Sequence, residues 1–220
     1  MRIGIYAGAA LGAALAVCAT AVSAADYAVQ PVPDDLWAVM QDTSWHEGID
    51  CPAREDLALV AVRYEDFEGA PQSGHLIVAA AHAEEIGAIF QEIWQRRLLR
   101  FARIEPVSFH GGSDAASMAA NNTSAFNCRT VTGGTRLSEH SYGAAIDINP
   151  IQNPYVRGDR TLPPQGSPYD DPGEREAAIE RGMPGLVTPD VVAVFATHGW
   201  SWGGDWTSLK DYQHCSKSGN

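Results

Sequence analysis

The stretch Ser138 to Asn149, SEHSYGAAIDIN, places a histidine and an aspartate seven positions apart around a glycine and two alanines. In a strand that starts at Gly143, side-chain alternation puts Asp147 on one face with Ala145 and sends the two isoleucines to the other face. The small neighbour leaves room beside the carboxylate. His140 precedes the glycine, whose backbone freedom lets the imidazole fold back toward Asp147. A helix would instead separate the two side chains by about 10 Å along its axis.

A second acid and histidine lie near the C-terminus, in the sequence Asp211-Tyr212-Gln213-His214. On one helical or tight turn, a spacing of three points both side chains the same way. Taken singly, His140 is explained by a hydrogen bond in a loop and Asp147 by an ordinary ion pair. Together with His214 they form two histidines and a carboxylate, which is a known zinc set for catalysis with the fourth position left to water.

These motifs resemble a family of bacterial zinc peptidases. SEHSYGAAID matches the signature Ser-x-His-x-x-Gly-x-Ala-x-Asp of a group that includes D-alanyl-D-alanine carboxypeptidases and the L-alanyl-D-glutamate endopeptidases of phage lysins. The later WGGDW at 202–206 and DYQH at 211–214 resemble the second signature block of that family. NNTSAFNCR at 121–129 and NPY at 153–155 extend the similarity, which covers roughly residues 56–214.

The resemblance implies a role for each matching residue. His140, Asp147 and His214 are expected to bind Zn²⁺, and Asp211 is expected to be the catalytic acid/base. Asp211 is preferred to Asp205 because its spacing of three fixes it beside His214. The neighbouring Glu139 is expected to point elsewhere if its segment is extended.

Members of the family hold a substrate carboxylate or carbonyl with an arginine upstream of the first signature. Arg129 is the best positional match and Arg136 is its rival, since a guanidinium suits a carboxylate through paired hydrogen bonds. The alternative for either is an ion pair with one of the 27 acidic residues. Ser138 is expected to support the site by hydrogen bonding.

The sequence leaves alternatives open for the pairing of the cysteines and for the positions of three tryptophans. Cys51, Cys128 and Cys215 allow one disulfide in an oxidising compartment, with three pairs to choose from. Cys215 follows the last histidine, where the family often has an aromatic residue, and is a disulfide partner, a small buried residue or a metal contact. Trp200, Trp202 and Trp206 are expected to be mostly structural, with one of them lining the cleft.

Residues 1–24 have the pattern of a secretory signal peptide, with Arg2 at the start, an apolar run and small residues before the expected cleavage site. An uncleaved anchor or a lipid on Cys18 fits the run less well. We therefore expect an exported protein, periplasmic or extracellular at the cell wall, without a stable membrane anchor. Loss of Arg2 takes the formal charge from -12 to -13, which disfavours nucleic-acid binding.

Apolar patterning predicts one α+β domain with a small antiparallel sheet and flanking helices, at residues 57–220, after an irregular lead-in at 25–56. Residues 149–184, rich in Pro, Gly and charge, are expected to form a surface loop. The predicted strands are Leu57–Tyr64 and Gly74–Ala79, and the predicted helices are Ala80–Arg100, Ser113–Met118 and one from Thr188 to Gly199.

The sequence thus predicts an exported zinc metallopeptidase that hydrolyses an amide bond in peptidoglycan stem peptides. The motifs do not distinguish a carboxy-terminal D-Ala bond from an internal L-Ala-D-Glu bond. The alternative is a non-catalytic zinc module that binds the wall or a protein, because hedgehog domains share this zinc fold in an adhesive role. A closed structural zinc site completed by Cys215 is a second alternative.

Overall fold

A computed structural model describes residues 26–131 and 133–219. The leader predicted for residues 1–24 lies outside the described residues. In this part of the chain, no helix combines the length and the apolar character needed to cross a membrane. The α-helices are Asp34–Gln41 (α1), Ala83–Arg96 (α2), Asp114–Ala119 (α3), Pro172–Glu180 (α4) and Pro189–Thr197 (α5). The strands are Tyr27–Pro31 (β1), Leu57–Glu65 (β2), Pro71–Ala79 (β3), Arg103–Ile104 (β4), Asn122–Thr123 (β5), Ala145–Asp147 (β6), Tyr155–Arg157 (β7), Arg160–Leu162 (β8), Ser201–Trp202 (β9), Lys210–Asp211 (β10) and His214–Ser216 (β11).

Strands β1, β2 and β3 form an antiparallel sheet in that order. Residues 57–62 of β2 form an uninterrupted apolar run, because both faces of this part of the strand pack against hydrophobic clusters. Val60 and Val62 pack with Phe90 of α2 in one hydrophobic cluster, whereas Leu59 packs with Met40 of α1 in another. The small antiparallel sheets with helices beside them confirm the predicted α+β class.

The expectation of an irregular lead-in at residues 25–56 is wrong. β1 pairs along its whole length with β2, and α1 buries Leu36 and Met40 against the second cluster. The helix is only eight residues long and begins after Pro33 without a side-chain cap, so its start signal in the sequence is weak. The division of the chain at residues 24 and 56 stays a prediction.

The expectation of a loop with little structure at residues 149–184 is also wrong. This segment holds the β7–β8 hairpin and α4, and it is anchored by polar side chains that are themselves buried. Arg175 is 4% exposed and donates hydrogen bonds to the Gln152 and Val187 carbonyl oxygens and to Asn153 Oδ1. Composition predicted a loop because buried hydrogen-bond networks leave no hydrophobic period in the sequence.

Two further small sheets join distant parts of the chain. β11 lies between β6 and β9, and the register sets His214 opposite Asp147 and Cys215 opposite Ile146. β7 lies between β10 and β8. The turn between β10 and β11 therefore passes from one sheet to the other.

Cys51 and Cys128 form the disulfide, with their Cα atoms 5.9 Å apart and 77 positions apart in the chain. Both cysteines pack with the second hydrophobic cluster. Cys215 is free and fully buried, packed in the first cluster with Ile146. The sequence left three interpretations open for Cys215, namely a disulfide partner, a small buried residue or a metal contact. The structure shows a small buried residue.

Removing the disulfide by the double substitution Cys51→Ala and Cys128→Ala should lower the free energy of unfolding by about 2–4 kcal/mol, because a long loop is no longer closed in the unfolded chain. Urea denaturation of the two proteins measures the difference. Reducing agent should destabilise the wild-type protein by a similar amount and leave the variant unchanged. Equal midpoints for oxidised wild type and variant would contradict the assigned stabilising role.

Candidate metal centre

His140, Asp147 and His214 converge at one buried point. His140 Nε2 lies 3.2 Å from Asp147 Oδ2, and His214 Nδ1 lies 3.1 Å from Asp147 Oδ1. One candidate ligand atom from each residue lies within 4.8 Å of the other two. The β6–β11 pairing supplies two of the three side chains, since it sets His214 directly opposite Asp147. The predicted trio is therefore brought together by the fold.

The turn before β6 brings His140 to the other two residues. Residues Glu139–Tyr142 form a 3-10 turn, in which the His140 N–H donates to Ser138 Oγ at 3.4 Å. Gly143 follows with φ +66, and a Cβ added there would lie 2.3 Å from the Ala79 nitrogen. Glycine is required at this position because the chain turns against β3 with no room for a side chain.

The imidazole of His140 is oriented by a contact with a backbone carbonyl group. His140 Nδ1 lies 2.6 Å from the Ala125 carbonyl oxygen, so this nitrogen carries the proton and Nε2 faces the cluster. The two rings are 5.1 Å apart at their centroids and inclined at 63°. Ala125 belongs to the stretch 121–129, which is part of the family resemblance in the sequence. The sequence did not predict that a backbone carbonyl group in this stretch would orient His140.

Electrostatics keep Asp147 charged. Burial alone would raise the pKa of its carboxyl, but the attraction of His140 and hydrogen bonds from both histidines outweigh burial, so the pKa of Asp147 lies below its ordinary value. A buried carboxylate with two imidazole nitrogens beside it is a donor set that suits Zn²⁺. The three side chains therefore fit the metal that the sequence predicts.

Cys215 is excluded from this set by strand alternation. In β11 the side chains of His214 and Cys215 point to opposite faces. His214 contributes to the cluster, and Cys215 packs in the hydrophobic core. The hypothesis of a closed site completed by this cysteine is therefore wrong.

Asp211 lies in the same cavity as the three candidate ligands. Burial raises the pKa of its carboxyl to about 7, and the charge of Asp147 adds to the rise, whereas His214 and a hydrogen bond from Gln213 oppose it. Among the described residues, Asp211 Oδ1 has no hydrogen-bond partner. A Cβ added at Gly203 would lie 3.0 Å from Asp211 Cβ and 3.4 Å from His214 Cβ, so both residues lie against this glycine.

The cavity has a volume of about 610 Å³, and it is lined by the two candidate substrate-binding arginines, Arg129 and Arg136, and by Ser138, the predicted supporting residue. Arg129 Nη2 is 2.9 Å from Asp114 Oδ1, whereas Arg136 is exposed and has no ion pair with any described residue. Glu139 also lines the cavity, contrary to expectation, because its segment is a 3-10 turn and not extended.

Of the three tryptophans, Trp206 lines the cavity, as expected for one of them. Its ring centroid lies 5.4 Å from that of His214. Trp200 is buried in the first hydrophobic cluster, and Trp202 Nε1 donates to the Tyr212 carbonyl oxygen at 2.8 Å. Two of the three are structural, which agrees with the prediction.

The sequence missed Asp114, Met118 and Gln213 as cavity residues. The spacing of Asp114 and Met118 on α3, four residues apart, indicates only that they share a helix face. Gln213 lies between the predicted site residues Asp211 and His214, but nothing in the sequence assigned it a role.

The comparisons with known proteins agree with this geometry. Residues 132–217 match the family model described as D-alanyl-D-alanine carboxypeptidase, and this segment contains His140, Asp147, Asp211 and His214. No curated protein and no solved structure matches the chain significantly. The match agrees with the family resemblance seen in the motifs, and it covers the segment that carries the candidate metal centre.

Proposed function

We propose that this protein is an exported zinc peptidase that hydrolyses an amide bond in the stem peptides of peptidoglycan. The observation that carries the proposal is one cavity that combines the His140, Asp147 and His214 cluster with the buried acid Asp211. The bond is either the carboxy-terminal D-Ala bond or the internal L-Ala-D-Glu bond.

In this proposal, His140 Nε2, His214 Nδ1 and the Asp147 carboxylate hold Zn²⁺. Bound zinc lowers the pKa of water to about 7 and polarises the substrate carbonyl. Asp211 takes a proton from the attacking water as its oxygen bonds to the carbonyl carbon. The same carboxyl then returns the proton to the departing amine nitrogen as the C–N bond breaks.

The environment of Asp211 suits this role. Efficient proton transfer requires a group whose pKa lies near the working pH, and burial brings the pKa of Asp211 to about 7. A module that only binds the wall has no need of a buried acid with a free oxygen beside the metal ligands. Asp211 therefore favours hydrolysis over the non-catalytic alternative.

Arg129 is the preferred residue for holding a carboxylate or carbonyl of the substrate. Its ion pair with Asp114 holds the guanidinium in the cavity wall, and its Nε has no hydrogen-bond partner among the described residues. Arg136 lies more exposed on the same cavity. Ser138 acts indirectly, through the hydrogen bond that its Oγ accepts from the His140 backbone.

Export is the part of the proposal that rests on the leader pattern of residues 1–24. The Cys51–Cys128 disulfide supports it, because such bonds persist in oxidising compartments. The wall substrate is found in the same compartment. The formal charge of -13 that remains after loss of Arg2 provides no general attraction to an anionic wall, so affinity has to come from the cavity or from a partner.

His140→Ala should abolish stoichiometric zinc binding, because it removes one of three ligands and its oriented imidazole. Elemental analysis of the purified protein measures the metal content. His75→Ala is the matched control, since His75 is an exposed histidine on β3 outside the cluster. Full zinc content in His140→Ala would refute the ligand assignment.

Asp211→Asn should keep its zinc and lose roughly 10²–10⁴-fold in kcat/KM on muropeptides, because it removes the proton acceptor. Mass spectrometry of the digested muropeptides measures turnover and identifies the bond that is cut. Asp205→Asn should stay close to wild type, since Asp205 is an exposed acid on the same cavity. Absence of any muropeptide product with zinc-loaded wild type would reject the proposed function.

Arg129→Gln should raise KM roughly tenfold with a smaller change in kcat, because a charge-assisted hydrogen bond to substrate is lost. Arg136→Gln should have a smaller effect, since this side chain is exposed and less restrained. Steady-state kinetics on one purified muropeptide compare the two variants. A larger rise in KM for Arg136→Gln would transfer the role to that residue.

A further inference from the structure

One wall of the cavity is the face of a sheet, and strand register determines which side chains it presents. In the sheet formed by β10, β7 and β8, Tyr155 lies opposite both Asp211 and Leu162. Residues directly opposite each other on antiparallel strands share a face, and all three of these residues line the cavity. The proposed acid/base therefore begins a row of side chains that continues with Tyr155 and Leu162.

Arg157 lies on the same face, two residues beyond Tyr155 on β7. It lines the cavity, whereas Val156 points to the other face and is not among the lining residues. Diagonal neighbours on adjacent antiparallel strands lie roughly 7–8 Å apart, so Arg157 begins about that far from Asp211. An extended peptide advances about 3.3 Å per residue, so this distance corresponds to about two residues of a bound peptide.

The charge of Arg157 is not balanced by an ion pair with any described residue, although Glu139 and Asp205 line the same cavity. Directly opposite it on β8 is Arg160, a second exposed arginine, and Asp159 in the turn between them pairs with neither. Like charges that lie opposite each other across two strands are destabilising. In a chain with 27 acidic and 15 basic residues, two adjacent arginines without a carboxylate partner favour an anionic ligand group beside them.

Arg157 and Arg129 belong to different parts of the cavity wall. Arg129 pairs with Asp114 of α3, and its backbone N–H donates to Ser141 Oγ in the turn that carries His140. Arg157 belongs instead to the sheet that carries Asp211. Because separate elements hold the two guanidinium groups, they suit two separate anionic groups of one ligand.

We propose that Arg157 is a specificity-determining residue whose guanidinium binds a carboxylate within the substrate peptide, about two residues from the scissile bond. This carboxylate is distinct from the group assigned to Arg129. The site therefore selects peptides that carry an acidic residue near the bond that is cut. The inference rests on the proposed function, since it takes the substrate to be a stem peptide.

The test uses synthetic stem peptides in which each carboxylate other than the C-terminal one is converted, one at a time, to a carboxamide. The carboxamide removes the charge and keeps the shape of the group. Arg157→Gln removes the guanidinium. Arg160→Gln is the matched control, because it removes the same charge from the opposite position of the hairpin, where the side chain does not line the cavity. Zinc content is measured for every protein.

For wild type, one carboxamide should lower kcat/KM roughly tenfold, because a charge-assisted hydrogen bond is lost. Arg157→Gln should lose a similar factor on the unmodified peptide and lose nothing further on that carboxamide. Arg160→Gln should retain the full carboxamide effect of wild type. Such non-additivity identifies the two groups that are in contact.

Equal carboxamide effects in wild type and Arg157→Gln would overturn the proposal, as would the absence of any such effect in wild type. An equal loss of the effect in Arg160→Gln would overturn it also, because a general field of positive charge would then explain the result. Loss of zinc in Arg157→Gln would make the residue structural and contradict its assignment to substrate.

Binding isotherms of the same peptides to the zinc-loaded proteins separate this inference from the proposed function. If wild type hydrolyses no stem peptide, the proposed function fails, and the isotherms decide the role of Arg157 by themselves. Coupling between the carboxamide and Arg157→Gln in binding affinity supports the contact, and its absence overturns it.

Discussion

The antiparallel pairing of β6 with β11 is the constraint on which the site depends. It sets His214 opposite Asp147, although 67 residues separate them in the chain. Because side chains alternate along a strand, the same register that directs His214 to the candidate metal cluster sends Cys215 into the hydrophobic core. A shift of one residue would exchange their positions. The pairing therefore determines that His214 meets Asp147 and that Cys215 stays outside the cluster.

The position of His140, the third candidate ligand, depends on close backbone contacts rather than on strand pairing. Gly143 lies against β3 where a Cβ has no space, so the 3-10 turn before it is held next to the sheet. The stretch at residues 121–129 then runs beside the turn, with the Asn127 N–H donating to the His140 carbonyl oxygen and the Ala125 carbonyl oxygen facing the imidazole. Backbone groups therefore determine which nitrogen of His140 faces the cluster.

Hydrophobic periodicity and short motifs predicted much of this molecule. β2, β3 and α2 followed from apolar patterns, and the caps at Ser113 and Thr188 marked the starts of α3 and α5. Segment 149–184 could not be predicted in this way, because its order comes from buried polar residues such as Arg175. The disulfide pair and the cavity position of Glu139 depend on tertiary proximity, which a single sequence does not specify. The motifs indicated four candidate site residues, whereas no motif indicated that Asp114 and Met118 line the cavity.

The segment that composition assigned to a loop is what holds the turn from Asp211 to His214. β7 pairs with β10, setting Tyr155 opposite Asp211, and the Tyr212 N–H donates to the Pro154 carbonyl oxygen. The guanidinium of Arg175 lies 4.4 Å from the centre of the Tyr212 ring, and burial lowers its pKa to about 10, a value at which it stays charged at neutral pH. The turn is therefore fixed by one sheet at its start and by another at its end. The separation between the proposed acid/base and the proposed metal ligand His214 follows from how these two sheets join, so residues outside the candidate metal cluster, such as Arg175, contribute to its geometry.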